Sequence, residues 1–140
     1  ELIFQKAQLG LESEVIFKKS MPFAEIITEI QQADILLLPS LEEGIANVVL
    51  EAMALGTIVL STHCGGIEEV ITHGKNGFMV PVRNPEAIAE NIKKIALLTE
   101  KERIEIRKKA RTTIEKQHDF AGNCTLMLDL YQSVLKRELI

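Results

Sequence analysis

Glu43 and Glu51 are the side chains best placed to do chemistry, with seven residues, Gly44 to Leu50, between them. Upstream, the apolar run Leu36-Leu37-Leu38 stops at Pro39 and gives way to a polar loop. Downstream, Val48 to Leu55 reads as an apolar helix ended by Gly56. Asn47 is the expected N-cap of that helix. The unpaired N–H groups of its first turn and the positive end of its dipole then face the loop, which suits an anion and above all a phosphate. Glu51 is the only charged residue from Val48 to Leu55. Its carboxylate must point to solvent or to a partner, because an unpaired buried charge is costly. Ligand hydroxyls are one such partner. Residue types alone leave a plainer reading equally open, in which Glu51 marks the exposed side of a half-buried helix and Glu42 and Glu43 are solvated loop charges.

The elements that must hold this loop read as strands alternating with helices. Residues 1–9 carry a helical stripe, Leu2, Ile3, Ala7 and Leu9, with Gly10 as C-cap. Val15-Ile16-Phe17 is expected as a buried strand. Pro22 to Gln32 places Phe23, Ile26, Ile27 and Ile30 at helical spacing, and Ile35 to Leu38 reads as a central parallel strand. Beyond Gly56, a strand is expected over Thr57–Ser61. Gly65-Gly66 then turn into a short helix, Ile67 to Thr72. His73-Gly74 and Asn76-Gly77 mark turns before a strand over Phe78–Val80. Asn84-Pro85 opens a helix to Leu98 with Ile88, Ile92, Ile95 and Ala96 inward. Thr99, with Glu102 three residues on, caps a helix to His118. Asp119 or Ala121 opens a last helix whose stripe is Leu126, Leu130, Val134 and Leu135. Four strands among helices predict a single α/β domain, residues 1–140, with a mainly parallel sheet flanked by helices.

Composition narrows the function classes. The 140 residues are 46% hydrophobic, enough for a core, and carry a net charge of −4. With a pI near 5.4, the chain is not expected to bind nucleic acid. Cys64 and Cys124 lack metal-ligand spacing, and each is expected as an unpaired buried thiol. No apolar run approaches the ~20 residues of a membrane span. The first residue is Glu rather than Met, so the chain is expected to be a piece truncated at its N-terminus.

The segment Glu43-Gly44-Ile45-Ala46-Asn47-Val48-Val49-Leu50-Glu51-Ala52-Met53-Ala54 resembles the signature of the group 1 retaining glycosyltransferases, family 4 of the GT-B fold. A second block agrees: Gly65-Gly66, Glu69 three residues on, Gly74, Asn76-Gly77 and Val80-Pro81 follow in the family's order. Together the blocks cover about residues 34 to 95.

The resemblance implies a Rossmann-like, C-terminal donor-binding half of such an enzyme. The acceptor domain and the first strands would belong to the absent N-terminal part. It implies transfer of a sugar from a nucleoside diphosphate sugar to an acceptor hydroxyl with retention, in surface polysaccharide or glycolipid biosynthesis. The expected setting is cytoplasmic, at the inner face of the membrane. By resemblance Glu51 binds the ribose hydroxyls and Glu43 orients the donor sugar as the catalytic carboxylate. Gly44, Ile45, Ala46 and Asn47 present N–H groups to sugar and phosphate. Val48 or Leu50 touches the ribose, and the backbone at Ile16 or Phe17 reads the base. For Glu69 two readings stay open: it orients the Gly65-Gly66 loop, or it faces solvent at the start of its helix. No cofactor and no metal are expected, since the sequence has no Asp-x-Asp, and the fragment alone should be inactive.

The chain departs from the family pattern at Lys18-Lys19, where Leu-Gly is frequent, and at His63-Cys64, where Asp or Thr precedes an apolar residue. Lys101 to Lys116 form a basic run that could lean on anionic lipid or simply face solvent. Two alternatives stay open: a nucleotide-sugar 2-epimerase of the same fold, and a non-catalytic module that binds nucleotide sugar.

Overall fold

A three-stranded parallel sheet in the order β1-β2-β3 carries the fold. The computed structural model describes residues 1–137. The strands are β1 (Ile35–Leu38), β2 (Ile58–Thr62) and β3 (Phe78–Val80). The helices are α1 (Leu2–Gln8), α2 (Phe23–Gln32), α3 (Asn47–Leu55), α4 (Ile67–Val70), α5 (Pro85–Ala96), α6 (Glu100–Gln117) and α7 (Phe120–Arg137). Ile35 pairs with Ile58 and Leu38 with Ser61 on one side of β2, and Leu60 pairs with Phe78 on the other.

Strand β2 is buried along its whole length, and its alternation divides the core between the two faces of the sheet. Val59 joins Val49, Ala52, Met53, Ile67 and Ala110 on one face. Ile58 and Leu60 join Phe78, Val80, Ile95 and Ile106 on the other. Helix α3 contributes Val49, Ala52 and Met53, spaced for a single stripe, and all three are fully buried. The Thr57 hydroxyl donates to the Ile30 carbonyl at 2.7 Å and ties the end of α2 to the start of β2.

Asn84 caps α5 by accepting from the Ala87 N–H, and Thr99 with Glu102 forms the full capping box on α6. Gly56 closes α3 in the left-handed conformation. Helix α1 ends at Gln8 with Leu9 as its C-cap, and Gly10, one residue further, takes the positive φ.

Five expectations change. Val15–Phe17 is not a strand: β1 pairs with β2, and no described residues pair with 15–17, so the run has no ladder to join. Ile16 and Phe17 are exposed as a result. Asn47 is the first residue of α3 rather than its cap; Ala46 is the cap and has no side-chain acceptor to offer. The stripe of α7 is not inward, since Leu126, Leu130, Val134 and Leu135 are all exposed and no sheet face lies beneath them. On α5 and α2, Ile92, Ala96 and Phe23 are also exposed. Finally, Cys64 is buried but Cys124, on α7, is exposed; both are free thiols.

Among the described residues no helix is long and apolar enough to cross a membrane.

Candidate functional site

The carboxyl ends of β1 and β2 hold the acidic loop between β1 and α3. Where β1 ends, the Ser61 hydroxyl donates to the Leu38 carbonyl at 3.2 Å, and the buried Thr62 hydroxyl donates to the Ser40 carbonyl. These two bonds fix the direction in which the chain leaves the sheet. Three residues on, Glu43 is half-buried, and its Oε1 accepts from the Ser40 hydroxyl at 3.0 Å.

The loop rests on the double-glycine turn after β2. Gly65 has φ +54°, and a β-carbon built on it would lie 1.6 Å from the Glu43 carbonyl oxygen. On Gly66 it would lie 2.9 Å from Cγ1 of Ile45 and 3.3 Å from the carbonyl carbon of Gly44. Only glycine allows this approach together with that backbone angle. The two sequence blocks, about twenty residues apart along the chain, are thus one contact in space.

Helix α3 starts bare. No side chain caps it, and its first turn holds no acidic residue; the Val49 N–H donates to the Ala46 carbonyl at 2.9 Å, and the amide hydrogens before it are left for solvent or an anion. Gly44 and Asn47 are exposed, while Ile45, Ala46 and Leu50 are half-buried. Ile45, Ala46 and Leu50 also pack against the core, which fixes their backbone. Glu51 lies one helical turn beyond Asn47 on the same face. It is half-buried, and its carboxylate has no hydrogen-bond or ion-pair partner among the described residues.

His63 follows β2 directly; its N–H donates to the Val80 carbonyl at 2.8 Å, and its Nδ1 lies 2.8 Å from Oε1 of Glu68. Glu69 is exposed, and its side chain makes no hydrogen bond among the described residues, so the solvent-facing reading holds and it does not orient the Gly65-Gly66 turn. The positioning residues Ser40 and Thr62 were not singled out from the sequence. Their signal was a hydroxyl residue at each strand's carboxyl end, next to the acidic loop. Glu68 was likewise missed as the partner of His63. Among the described residues no three His, Cys, Asp or Glu side chains converge as a metal site.

This architecture, in which parallel strands turn their carboxyl ends toward a bare helix start, is that of a Rossmann-like half of a GT-B glycosyltransferase. Residues 1–113 match the family described as glycosyl transferases group 1, and the chain belongs to that family.

Its curated relatives are glycosyltransferases. WcaL of Escherichia coli, provisionally named a colanic acid biosynthesis glycosyltransferase, is 33% identical over 138 residues, which cover 94% of this chain and 31% of WcaL. A D-inositol 3-phosphate glycosyltransferase of Corynebacterium urealyticum is 37% identical over 83 residues, covering 59% of this chain and 20% of the relative. The chain thus spans between a fifth and a third of the length of these relatives.

Among solved structures, HepE of Anabaena in complex with UDP superposes with a TM-score of 0.88 at 26% identity, covering 94% of this chain and 36% of HepE. The C-terminal domain of LpcC, a group 1 family protein of Francisella tularensis, gives a TM-score of 0.76 at 26% identity, over 85% of this chain and 61% of the domain.

Proposed function

We propose that residues 1–140 are the C-terminal, donor-binding half of a group 1 glycosyltransferase that moves a sugar from a nucleoside diphosphate sugar to an acceptor hydroxyl with retention. An N-terminal acceptor domain completes the enzyme, and this half binds donor but turns nothing over by itself. The observation that carries the reading is the Glu43 loop seated on Gly65 beside the uncapped start of α3. Family membership and the UDP complex of HepE support it.

In this reading the diphosphate lies against the N–H groups of Gly44 to Asn47. Catalysis requires the charge that develops on the leaving diphosphate to be met by donors already in place, and a bare helix start supplies them without a resident metal. Glu51 accepts from the ribose hydroxyls, which provide the partner its carboxylate lacks, and Leu50 packs against the ribose. Glu43, held by Ser40, orients the donor sugar as the catalytic carboxylate. The whole enzyme works in the cytoplasm at the inner face of the membrane, in surface polysaccharide or glycolipid assembly; of these, the name of WcaL supports a role in colanic acid biosynthesis for that relative.

The test is titration of the chain with UDP and with other nucleoside diphosphates, followed by calorimetry. Saturable binding that Glu51→Ala weakens is the expected result. Absence of binding to any nucleoside diphosphate would remove the reading. Product analysis on the full-length enzyme separates transfer from epimerisation.

A further inference from the structure

At the opposite end of the sheet from the acidic loop lies a recess of about 390 Å³ whose wall is basic. It opens beside Asn76, two residues before β3 begins, whereas the acidic loop lies at the strands' carboxyl ends; in a parallel sheet these are opposite ends. Lys108, Lys109 and Lys116 enter it from α6, and Lys75 enters from the turn before β3. Among the described residues no carboxylate lines it. Lys109 is paired with Glu105 at 2.7 Å, while Lys75, Lys108 and Lys116 have no ion-pair partner among the described residues.

The floor is polar and held in place. Asn76 is buried; its Oδ1 accepts from the Thr72 N–H at 2.7 Å, and its amide donates to the Val70 carbonyl and to the Thr113 hydroxyl. These bonds join the turn that carries Lys75 to the helix that carries the other lysines. The arrangement gathers like charges from two elements in a protein whose net charge is −4. Such a cluster repels itself, and an anion seated in the concavity offsets that cost. Ammonium groups around a neutral hydroxyl-bearing floor recognise phosphate oxygens as point charges.

We propose that this recess is a second anion site, distinct from the donor cleft, that binds a phosphate-bearing group of two or more negative charges. The same chemistry is offered by a soluble diphosphate and by the headgroups of an anionic membrane.

The probes are inorganic pyrophosphate, and vesicles of phosphatidylcholine with and without phosphatidylglycerol. The variant is Lys75→Gln/Lys108→Gln/Lys116→Gln, with Lys93→Gln/Lys94→Gln/Lys101→Gln as a control of equal charge outside the recess. Pyrophosphate is expected to shift the amide resonances of Asn76, Thr112 and Thr113. Added salt and the recess variant should each weaken binding by about tenfold or more. The control variant should retain it.

Vesicle binding that depends on phosphatidylglycerol and on the recess lysines assigns the source to a membrane. Pyrophosphate binding without vesicle binding assigns it to a soluble ligand. Failure to bind either probe overturns the proposal, as does equal weakening by the control variant. Resonance shifts confined to Gly44 and Gly65 would place the pyrophosphate in the donor cleft and overturn it too.

Discussion

Gly65 and Glu43 are in contact so close that a β-carbon on the glycine would lie 1.6 Å from the glutamate's carbonyl oxygen. That single approach joins the double-glycine turn after β2 to the acidic loop after β1. Gly65→Ala must therefore push the loop away while also straining a φ of +54°. The expected loss is about 2 kcal/mol or more in chemical denaturation, with UDP binding weakened further. Gly56→Ala is the comparison, because Gly56 has φ +81° with open space around it. It should lose only about 1 kcal/mol, the backbone part alone.

The two glutamates should fail differently. In the full-length enzyme, Glu51→Ala is expected to raise the nucleotide Kd by about tenfold, the loss of hydrogen bonds to a charged acceptor. Glu43→Ala should leave nucleotide affinity nearly intact and lower kcat by about a hundredfold. Steady-state kinetics beside calorimetry on the same variants checks the split. Unchanged turnover in both would remove the roles assigned here.

Ser40 holds Glu43 by one hydrogen bond at 3.0 Å. Ser40→Ala should cost stability about 1 kcal/mol or less and reduce kcat several-fold, because the carboxylate is then free to take other rotamers. Ser40→Thr, which restores a hydroxyl, is expected to recover part of the rate. A purely structural serine would show neither the rate loss nor the recovery.

Asn76 makes three hydrogen bonds from a buried site. Asn76→Ala leaves the Thr72 N–H and the Val70 carbonyl without those partners, and should destabilise by about 2–3 kcal/mol in denaturant titration. Hydrogen exchange at the turn before β3 should rise with it.

The capping box gives α6 a pH dependence of known sign. The hydrogen bonds of Glu102 with the Thr99 side chain and backbone hold its carboxyl below the usual range. A depressed folded pKa contributes stability above the unfolded value and loses it as pH falls through the folded one. Thr99→Ala should therefore flatten the acid limb of stability against pH. At neutral pH the lost cap is expected to cost about 1 kcal/mol, read from thermal melts.

Much of the fold and the candidate site was legible in the sequence because its signals are local. The apolar run Ile35–Leu38, the left-handed cap at Gly56, the Asn84 cap and the Thr99–Glu102 box all depend on residues a few positions apart. Two elements were misread for the opposite reason. A strand at Val15–Phe17 needs a neighbouring ladder, and a stripe on α7 needs a face to cover, and neither requirement is written within the segment. The cap of α3 slipped by one residue because Asn47 suits the cap by type, while the loop's path, fixed by Thr62 on Ser40, placed Ala46 there.

By itself the sequence determined which residue types surround the acidic loop, their order and spacing, and the family to which they belong. Only the tertiary structure decided that Glu43 rests on Gly65, that Ser40 and Thr62 position the loop, and that lysines from two elements share one recess. Contacts between segments far apart in the chain arise from packing two faces of one sheet, and no local pattern of residues encodes which of them will meet.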